Sequence, residues 1–202
     1  HLGHDRGADE VARAAIQEDA HAVAITSYQG GAVEMFTHTS DILEDSGFGH
    51  VFLFGGGGGT ILPHEIDHLK NSGIGRIYSP EDGRTMGLVG MVKDAMEEAG
   101  KIDLMDASRF ESLRDPVSAD DHGSVSKLLT MAENSTEEEF EKTLTRVRSV
   151  KSSEECPVLG VTGTGGAGKS SLMDELMLRI RRDNPGAKVA LLATDPTRKK
   201  TG

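Results

Sequence analysis

The strongest chemical signal in this sequence is a glycine-rich segment that ends in a lysine and a serine. Residues 163–170 read GTGGAGKS and match the pattern G-x-x-x-x-G-K-[ST] in full. An apolar run at 158–162 precedes the segment, and the amphipathic pattern of a helix follows over 169–182. Glycines let backbone N–H groups converge on phosphate oxygens, and the amino end of a helix adds partial positive charge. The segment therefore predicts a site for the phosphates of a nucleotide.

The positions in this motif predict individual roles. Lys169, the one catalytic candidate in this chain, is expected to reach the β and γ phosphates, Ser170 to bind Mg²⁺ and Ser171 to touch the α phosphate. Asp195 follows the apolar run 188–193 and is a second candidate ligand of Mg²⁺, although aspartate before proline is also common in turns. The motif does not decide between GTP and ATP. The predicted nucleotide-binding residues are Gly163, Gly165, Gly166, Ala167, Gly168, Lys169, Ser170 and Ser171.

Two loops of small residues indicate a second candidate site. Residues 27–31 (SYQGG) follow one apolar run, and residues 55–60 (GGGGGT) follow the next. In a parallel sheet such loops lie side by side at the carboxyl edge, where missing side chains let a large ligand approach the backbone. A flexible loop is the alternative. The glycine run also satisfies the dinucleotide pattern G-x-G-x-x-G trivially, but Pro63 follows too early for the helix that this pattern needs.

Two histidines, His64 and His68, stand four residues apart on a predicted helix, a spacing at which both could bind one metal ion. No H-E-x-x-H frame surrounds them and the sequence suggests no third ligand, so we interpret them as solvated surface residues. The acidic run at 137–139 is interpreted in the same way, as the solvated start of a helix whose dipole favours negative charge.

The elements that must position these sites alternate between strand and helix over residues 1–101. Apolar runs at 22–27, 50–54 and 75–79 are typical of strands buried on both faces of a parallel sheet. Helical periodicity lies around them, over 8–18, 35–46, 64–71 and 85–99. The last of these helices has a predicted apolar face formed by Met86, Val89, Val92 and Met96. This order predicts an α/β domain with a doubly wound sheet.

Residues 102–155 break the alternation and predict a helical linker between two domains; the alternative is that they form the tail of the first domain. A short amphipathic segment covers 124–133, and residues 135–138 (STEE) form a capping-box pattern that opens another helix. From 156 to 202 the strand–helix order returns, with strands predicted at 158–162 and 188–193. We interpret this last part as the beginning of a P-loop NTPase domain.

Composition narrows the class of protein. The 202 residues have a net charge of −11, and basic residues exceed acidic ones only in 156–202, eight against four. The rest of the chain should repel nucleic acid and acidic membranes, so we expect neither as a partner. Cys156 is the single cysteine, which excludes an internal disulfide and a cysteine-based zinc site. No apolar stretch approaches the ~18 residues of a membrane span, and the simplest interpretation is a soluble, cytoplasmic protein.

Several segments resemble proteins that handle cobalamin. Residues 25–31 (ITSYQGG), 54–60 (FGGGGGT) and 77–83 (IYSPEDG) resemble the cobalamin-binding domains of acyl-CoA mutases. Residues 160–171 (GVTGTGGAGKSS) and 195–202 (DPTRKKTG) resemble the G-protein chaperones that load and protect those mutases. The two in one chain resemble the fused isobutyryl-CoA mutase family, in which a TIM-barrel mutase domain follows the G domain.

The resemblance implies a flavodoxin-like (Rossmann-type) domain that binds adenosylcobalamin at the small loops. Ser27 would hydrogen-bond the displaced base of the cofactor, and Tyr78, Ser79 and Pro80 would close the edge of the third strand. The glycines that would let the nucleotide tail of the cofactor pass are Gly30, Gly31, Gly55, Gly56, Gly57 and Gly58.

The histidine that the family uses as cobalt ligand, in the motif D-x-H-x-x-G, has no match in this sequence. His4 has a glycine three residues later, but Leu2 stands where the aspartate belongs. We therefore interpret His4 as unrelated to cobalt and expect the true ligand before residue 1. The strand that would carry it is central in the flavodoxin order 2-1-3-4-5, so we also expect residues 1–101 to need that strand to complete the domain.

By resemblance, the expected activity is a radical carbon-skeleton rearrangement that interconverts isobutyryl-CoA and n-butyryl-CoA, with the acyl-CoA site outside this chain. GTP hydrolysis, with Mg²⁺ bound and residues 194–202 as a switch segment, would gate cofactor loading. A homodimer and a cobalamin-delivering adenosyltransferase are further expected partners. Two alternatives stay open: a non-enzymatic corrinoid sensor that regulates a nucleotide switch, and a P-loop ATPase or kinase with a flavodoxin-like regulatory domain.

Overall fold

The computed structural model describes residues 1–28, 30–106, 108–111, 113, 117–118, 120–141 and 157–193. The chain divides into two compact units, His1–Lys151 and Ser152–Gly202. A finer boundary between a first domain and a linker, at residue 101, stays a prediction. None of the helices in the described part of the chain has the length and apolar character needed to cross a bilayer.

The first unit alternates helices and strands in the predicted order. Its strands are β1 (Ala22–Thr26), β2 (Phe52–Gly56) and β3 (Arg76–Tyr78). Its helices are α1 (Ala8–Gln17), α2 (Ala32–Asp45), α3 (Pro63–Asn71), α4 (Pro80–Ala99), the short α5 (Ser108–Glu111) and α6 (His122–Asn134).

The three strands form one parallel sheet in the order β1-β2-β3, which confirms the predicted α/β fold with a parallel sheet. Ile25 of β1 pairs with Gly55 of β2, and Gly56 pairs with both Thr26 and Tyr78. Strand β2 thus continues two residues into the glycine run, past the predicted end of the strand. Because the strands are parallel, their carboxyl ends share one edge of the sheet, and both small loops begin there.

Two apolar clusters hold this sheet in place. In the first, Phe36 of α2, Leu69 of α3 and Ile77 of β3 are almost fully buried. In the second, Phe48 and its neighbours pack between α1 and α2, beside Leu43. Burying one such side chain contributes about 1.5–3 kcal/mol. These clusters therefore fix the strands whose ends carry the candidate site.

Helix α4 begins at Pro80, five residues before the predicted start, because a capping box precedes it. The Asp82 amide donates to Ser79 Oγ over 3.1 Å, and the Ser79 amide donates to Asp82 Oδ2 over 2.8 Å. This pair satisfies two of the backbone N–H groups that the first turn of a helix leaves unpaired. Gly87, with φ 66° and ψ 172°, interrupts the helical geometry seven residues later.

The predicted apolar face of α4 points away from the core. Val89 is 69% exposed, and Val92 and Met96 are also exposed. The prediction of this face is wrong because Ala95 is the buried residue of the helix and the neighbouring Asp94 is hydrogen-bonded to β3. One small side chain and one carboxylate, rather than the apolar stripe, thus face the sheet.

Caps also shift the ends of other helices by one to three residues. Helix α2 begins at Ala32, because Gly31 before it adopts a left-handed φ of 89°. Helix α6 begins at His122, because the Asp121 carboxylate accepts a hydrogen bond from the Ser124 amide. The helical residues 137–141 are capped by Thr136 and Glu139, one position after the capping box predicted at 135–138.

The second unit contains helix α7 (Lys169–Asp183), as the phosphate motif requires. The strands predicted at 158–162 and 188–193 are wrong for this structure, since these residues join no sheet within 157–193 and Val158 is 93% exposed. A parallel strand buried on both faces needs neighbouring strands and covering helices. The described residues of this unit supply one helix, so its apolar runs stay unpaired.

Candidate cofactor and nucleotide sites

The loops after β1 and β2 are tied together at the carboxyl edge of the sheet. The Ser27 amide donates to the Gly56 carbonyl over 3.1 Å. The Thr60 hydroxyl lies 3.1 Å from the carbonyl oxygen of Ser27 and 2.7 Å from that of Gly57, in position to donate to either. The structure therefore brings the two small loops into contact.

Three glycines of the run are required by the fold itself. A Cβ at Gly55 would lie 1.7 Å from the Ile25 carbonyl oxygen, and one at Gly56 would lie 2.7 Å from that of Tyr78. A Cβ at Gly57 would lie 2.5 Å from the nearest side-chain oxygen. The sequence analysis assigned these glycines to the passage of a ligand, but the close approach of neighbouring backbone is already a sufficient reason for them.

Four other residues of these loops form what we call the crevice surface: Tyr28, Gly30, Gly31 and Gly58. No atom lies within 4 Å of a Cβ placed at Gly30, and Gly31 and Gly58 have left-handed φ values of 89° and 57°. The Tyr28 ring covers Gly58, with Cε1 2.7 Å from the Cβ position there, and Tyr28 is 75% exposed. A ligand could contact bare backbone here once the Tyr28 ring moves.

The end of β3 is held by a polar network. The Tyr78 hydroxyl donates to Asp94 Oδ2 over 2.8 Å, and Arg76 Nε donates to the same oxygen over 3.1 Å. The Arg76 guanidinium lies 5.2 Å from the centre of the Tyr78 ring and 3.6 Å from the carboxylate of Asp82. The Asp82 carboxylate in turn accepts a hydrogen bond from the Ser79 hydroxyl. Two of the predicted site residues, Tyr78 and Ser79, are thus fixed by one connected set of charges. The third, Pro80, begins α4.

The protonation states of Tyr78 and Asp82 match the hydrogen bonds that each side chain makes. Burial and the hydrogen bond to Asp94 raise the pKa of Tyr78 to about 12, so the phenol stays a donor at neutral pH. Hydrogen bonds from Ser79 lower the pKa of Asp82, which therefore stays ionised beside Arg76 and at the start of α4.

In the second unit, the phosphate motif has the backbone geometry that it predicts. Gly166 and Gly168 have left-handed φ values of 80° and 79°, and α7 starts directly after Gly168. The amides of Gly165, Gly166 and Gly168 make no hydrogen bond to the described residues, and no atom lies within 4 Å of a Cβ placed at any of the three. Open amides beside a helix amino end are suited to bind an anion.

Lys169 lies folded over this loop. Its Nζ donates to the carbonyls of Gly163 and Thr164, each over 2.7 Å. Ser170 and Ser171 lie in the first turn of α7, where backbone N–H groups have no partner in the helix. Ala167 lies in the turn before it, and its amide donates to the carbonyl of Thr164. Asp195, the other predicted Mg²⁺ ligand, lies outside the described residues, as does the segment 194–202.

No three His, Cys, Asp or Glu side chains within the described ranges come together in a way that could hold a metal ion. His64 and His68 of α3 thus remain a pair without a third ligand among the described residues.

Comparison with known proteins finds similar proteins along the whole chain. The family described as methylmalonyl Co-A mutase-associated GTPase MeaB matches residues 125–202. The fused isobutyryl-CoA mutase of Geobacillus kaustophilus is 43% identical over 207 residues, and that of Cupriavidus metallidurans is 44% identical over 204. Both alignments cover 100% of this chain. The chain is a relative of the fused isobutyryl-CoA mutases.

The chain spans 19% and 18% of the length of these two fused isobutyryl-CoA mutases. A putative GTPase of Pyrococcus horikoshii is 35% identical over 82 residues, which are 41% of this chain and 24% of that protein. The MeaB match, which we call the G-protein segment, begins at residue 125, inside α6, and so starts before the second unit does.

Sequence reasoning missed the residues that hold the end of β3 in this relative of the fused mutases. Asp82 stands three residues after Ser79, which is the spacing of a capping box, but the pattern usually has Glu or Gln there. Arg76 and Asp94 are 18 positions apart, and no short-range pattern links them. Only the packing of α4 against β3 brings them together.

Proposed function

We propose that this chain carries the cobalamin-binding and nucleotide-binding elements of an adenosylcobalamin-dependent acyl-CoA mutase fused to its GTPase chaperone. The observation that carries the proposal is the match to fused isobutyryl-CoA mutases along the whole chain, at 43–44% identity, with the MeaB match over 125–202. The names of these relatives give isobutyryl-CoA as a substrate, and its interconversion with n-butyryl-CoA is part of the proposal. The acyl-CoA itself binds outside this chain.

In this proposal the first unit is flavodoxin-like, and its sheet order supports that assignment. The order β1-β2-β3 fits strands three to five of the flavodoxin order 2-1-3-4-5. The free edge of β1 would then pair with the central strand, the one expected to carry the cobalt-ligating histidine.

The crevice surface would receive the nucleotide tail of the cofactor. Since neighbouring backbone already lies against Gly55, Gly56 and Gly57, the tail would run over Gly30 and Gly58. The Tyr28 ring would swing off Gly58, and Ser27 would hydrogen-bond the base of the tail. Bound adenosylcobalamin supplies the organic radical that starts the rearrangement. The protein residues bind and orient the cofactor and exclude water from it.

The phosphate loop would bind GTP with Mg²⁺, as the MeaB match suggests. Lys169 would exchange the carbonyls of Gly163 and Thr164 for the β and γ phosphate oxygens, and the open amides would take up the rest of the phosphate charge. Ser170 and Asp195 would hold Mg²⁺. GTP hydrolysis would gate cofactor loading. A cytoplasmic location, a homodimer and delivery of cobalamin by an adenosyltransferase complete the proposal.

Two matched glycine variants of the full-length protein test the crevice surface. Gly58→Ala and Gly73→Ala each place a side chain at a left-handed φ, 57° and 83°, so both carry a similar backbone strain. Only the first puts a methyl group under the proposed path of the cofactor tail, where it also displaces the Tyr28 ring, whose Cε1 lies 2.7 Å from the Cβ position. We expect Gly58→Ala to lower the retention of adenosylcobalamin on gel filtration while Gly73→Ala behaves as the wild type. Equal retention by the two variants would contradict the proposed path.

A further inference from the structure

Helices α5 and α6 pack against the base of the first unit, at the amino ends of β1 and β2. Asp19, two residues after the end of α1, forms an ion pair with Arg109 of α5. The two side chains are 2% and 8% exposed. This ion pair fastens α5 at the base of the first unit, at the opposite edge of the sheet from the crevice surface.

Lys127 fastens α6 to the same region. The residue is 5% exposed, and its Nζ lies 4.5 Å from the centre of the Phe48 ring and 3.4 Å from the Gly47 carbonyl oxygen. Gly123 lets the helix approach closely, because a Cβ there would lie 2.9 Å from Phe48 Cε2. A buried lysine on an aromatic face, rather than an apolar side chain, is therefore the anchor of α6.

The anchor belongs to the G-protein segment by sequence. The MeaB match starts at residue 125, two residues before Lys127, and yet α6 packs on α1 and Phe48 of the first unit. The first ten residues of the G-protein segment, 125–134, thus belong to the first unit and not to the second. The base of the first unit is the surface that fits them.

The chemistry of this surface makes the attachment reversible. Buried charges lose hydration, and this cost offsets most of their attraction, so a polar contact holds less firmly than an apolar one of the same size. Asp19 Oδ2 and His50 Nε2 are also buried with no hydrogen-bond partner among the described residues. Burial and the nearby Arg109 lower the pKa of Lys127, against the opposing effect of Asp19 and Asp121.

The docked helix lies one strand length from the candidate cofactor site. Asp19 and His50 stand just before β1 and β2, and the two small loops begin where these strands end. Five residues of strand span roughly 15 Å. Strands β1 and β2 therefore connect the base directly to the crevice surface.

We infer that α6 is a releasable docking helix, through which the G-protein segment holds the base of the first unit in one nucleotide state and leaves it in the other. The inference rests on the proposed function, because it assigns the structural element that couples nucleotide state to the first unit. The partner that fits the surface is the helix 122–134 itself, with Lys127 as its anchor.

Hydrogen exchange of the full-length protein, with GDP and with a non-hydrolysable GTP analogue, tests this inference. We expect the amides of α6 to exchange about tenfold faster in one nucleotide state than in the other, since local release exposes them. Lys127→Met should give the slow rate in both states, because an apolar side chain over the Phe48 ring carries no cost of a buried charge. Lys127→Arg, which keeps the charge over the Phe48 ring, should keep the difference between the two states. Lys93→Met, at an exposed lysine of α4, is the matched control and should leave it unchanged.

Equal protection of α6 in the two nucleotide states of the wild type would overturn the inference. So would a Lys127→Met protein whose α6 still responds to the nucleotide. A failure of the proposed function gives a different result, because a protein that takes up no corrinoid can still release α6 in a nucleotide-dependent way.

Discussion

The Tyr78 hydroxyl donates a hydrogen bond to Asp94 over 2.8 Å and so joins the end of β3 to the middle of α4. The same carboxylate oxygen accepts from Arg76, so one side chain of α4 holds two side chains of the strand. The edge of the candidate cofactor site is therefore set by a helix residue that belongs to no motif of the sequence.

Removal of Asp94 should destabilise the first unit. Hydrogen bonds to charged groups contribute about 1.5–3 kcal/mol, and Asp94→Ala would leave Arg76 Nε without its acceptor, whereas the Tyr78 hydroxyl could still donate to the Met91 carbonyl 3.1 Å away. We expect the free energy of unfolding, measured with urea, to fall by about 2 kcal/mol, and by less in Asp94→Asn, which keeps an acceptor. Glu97→Ala, at an exposed position of the same helix, is the control. A loss as small as in this control would show that the network does not hold the strand end.

The Asp19–Arg109 pair should matter more than any ion pair on the surface. Arg109→Gln leaves a buried carboxylate without its cation, a change that costs about 3–5 kcal/mol. Asp19→Asn/Arg109→Gln should lose less than Arg109→Gln alone, since no charge is stranded, and asparagine tolerates the left-handed φ of 45° at position 19. Arg84→Gln breaks an exposed pair with Glu81 and should cost less than about 1 kcal/mol. If the double variant lost as much unfolding free energy as the two single variants together, the coupling between Asp19 and Arg109 would be contradicted.

The stability of the first unit should depend on pH through His50. Burial, and then the positive charge of Arg109, lower the pKa of His50 from 6.5 to about 4. Between these values the unfolded chain binds a proton that the folded chain excludes, so the free energy of unfolding should fall as the pH drops from 6.5 to 4 and then level off. The part due to His50 is at most about 3 kcal/mol. His50→Gln should flatten this slope in urea titrations, and an unchanged slope would assign it to other groups.

Lys169→Ala should separate the two sites. The lysine is the cation of the phosphate loop, so its loss should abolish GTP turnover, measured as phosphate release, by the full-length protein. Corrinoid uptake should stay nearly intact, because the hydrogen bonds described for Lys169 lie within its own loop. Unchanged hydrolysis would refute the assignment of the phosphate site. A preference for ATP over GTP in the wild type would favour the ATPase or kinase alternative.

The parallel sheet and the phosphate loop could be predicted from sequence because their signals are local. Each apolar run, at 22–27 and at 50–54, is only five or six residues long. The phosphate motif likewise occupies only the eight positions 163–170. The face of α4 could not be predicted, because Arg76 and Asp94 rotate the helix through a contact between distant positions. The prediction of strands at 158–162 and 188–193 was wrong for a related reason. An apolar run forms a buried strand only when neighbouring strands pair with it and helices cover it.

The glycine run shows a further limit of sequence reasoning. One motif contains glycines of two kinds, and the sequence does not tell them apart. Position 55 requires glycine because the Ile25 carbonyl lies against it, whereas Gly58 has a left-handed φ and lies under the exposed Tyr28 ring. Only coordinates divide the run into a part that closes the fold and a part that belongs to the crevice surface.

The visible absorption spectrum of the full-length protein mixed with adenosylcobalamin tests the proposed function most directly. The account predicts that the bound cofactor shows the spectrum in which the dimethylbenzimidazole base is displaced from cobalt and a histidine takes its place. A spectrum identical to that of free adenosylcobalamin, at protein concentrations well above that of the cofactor, would contradict the assignment of the first unit.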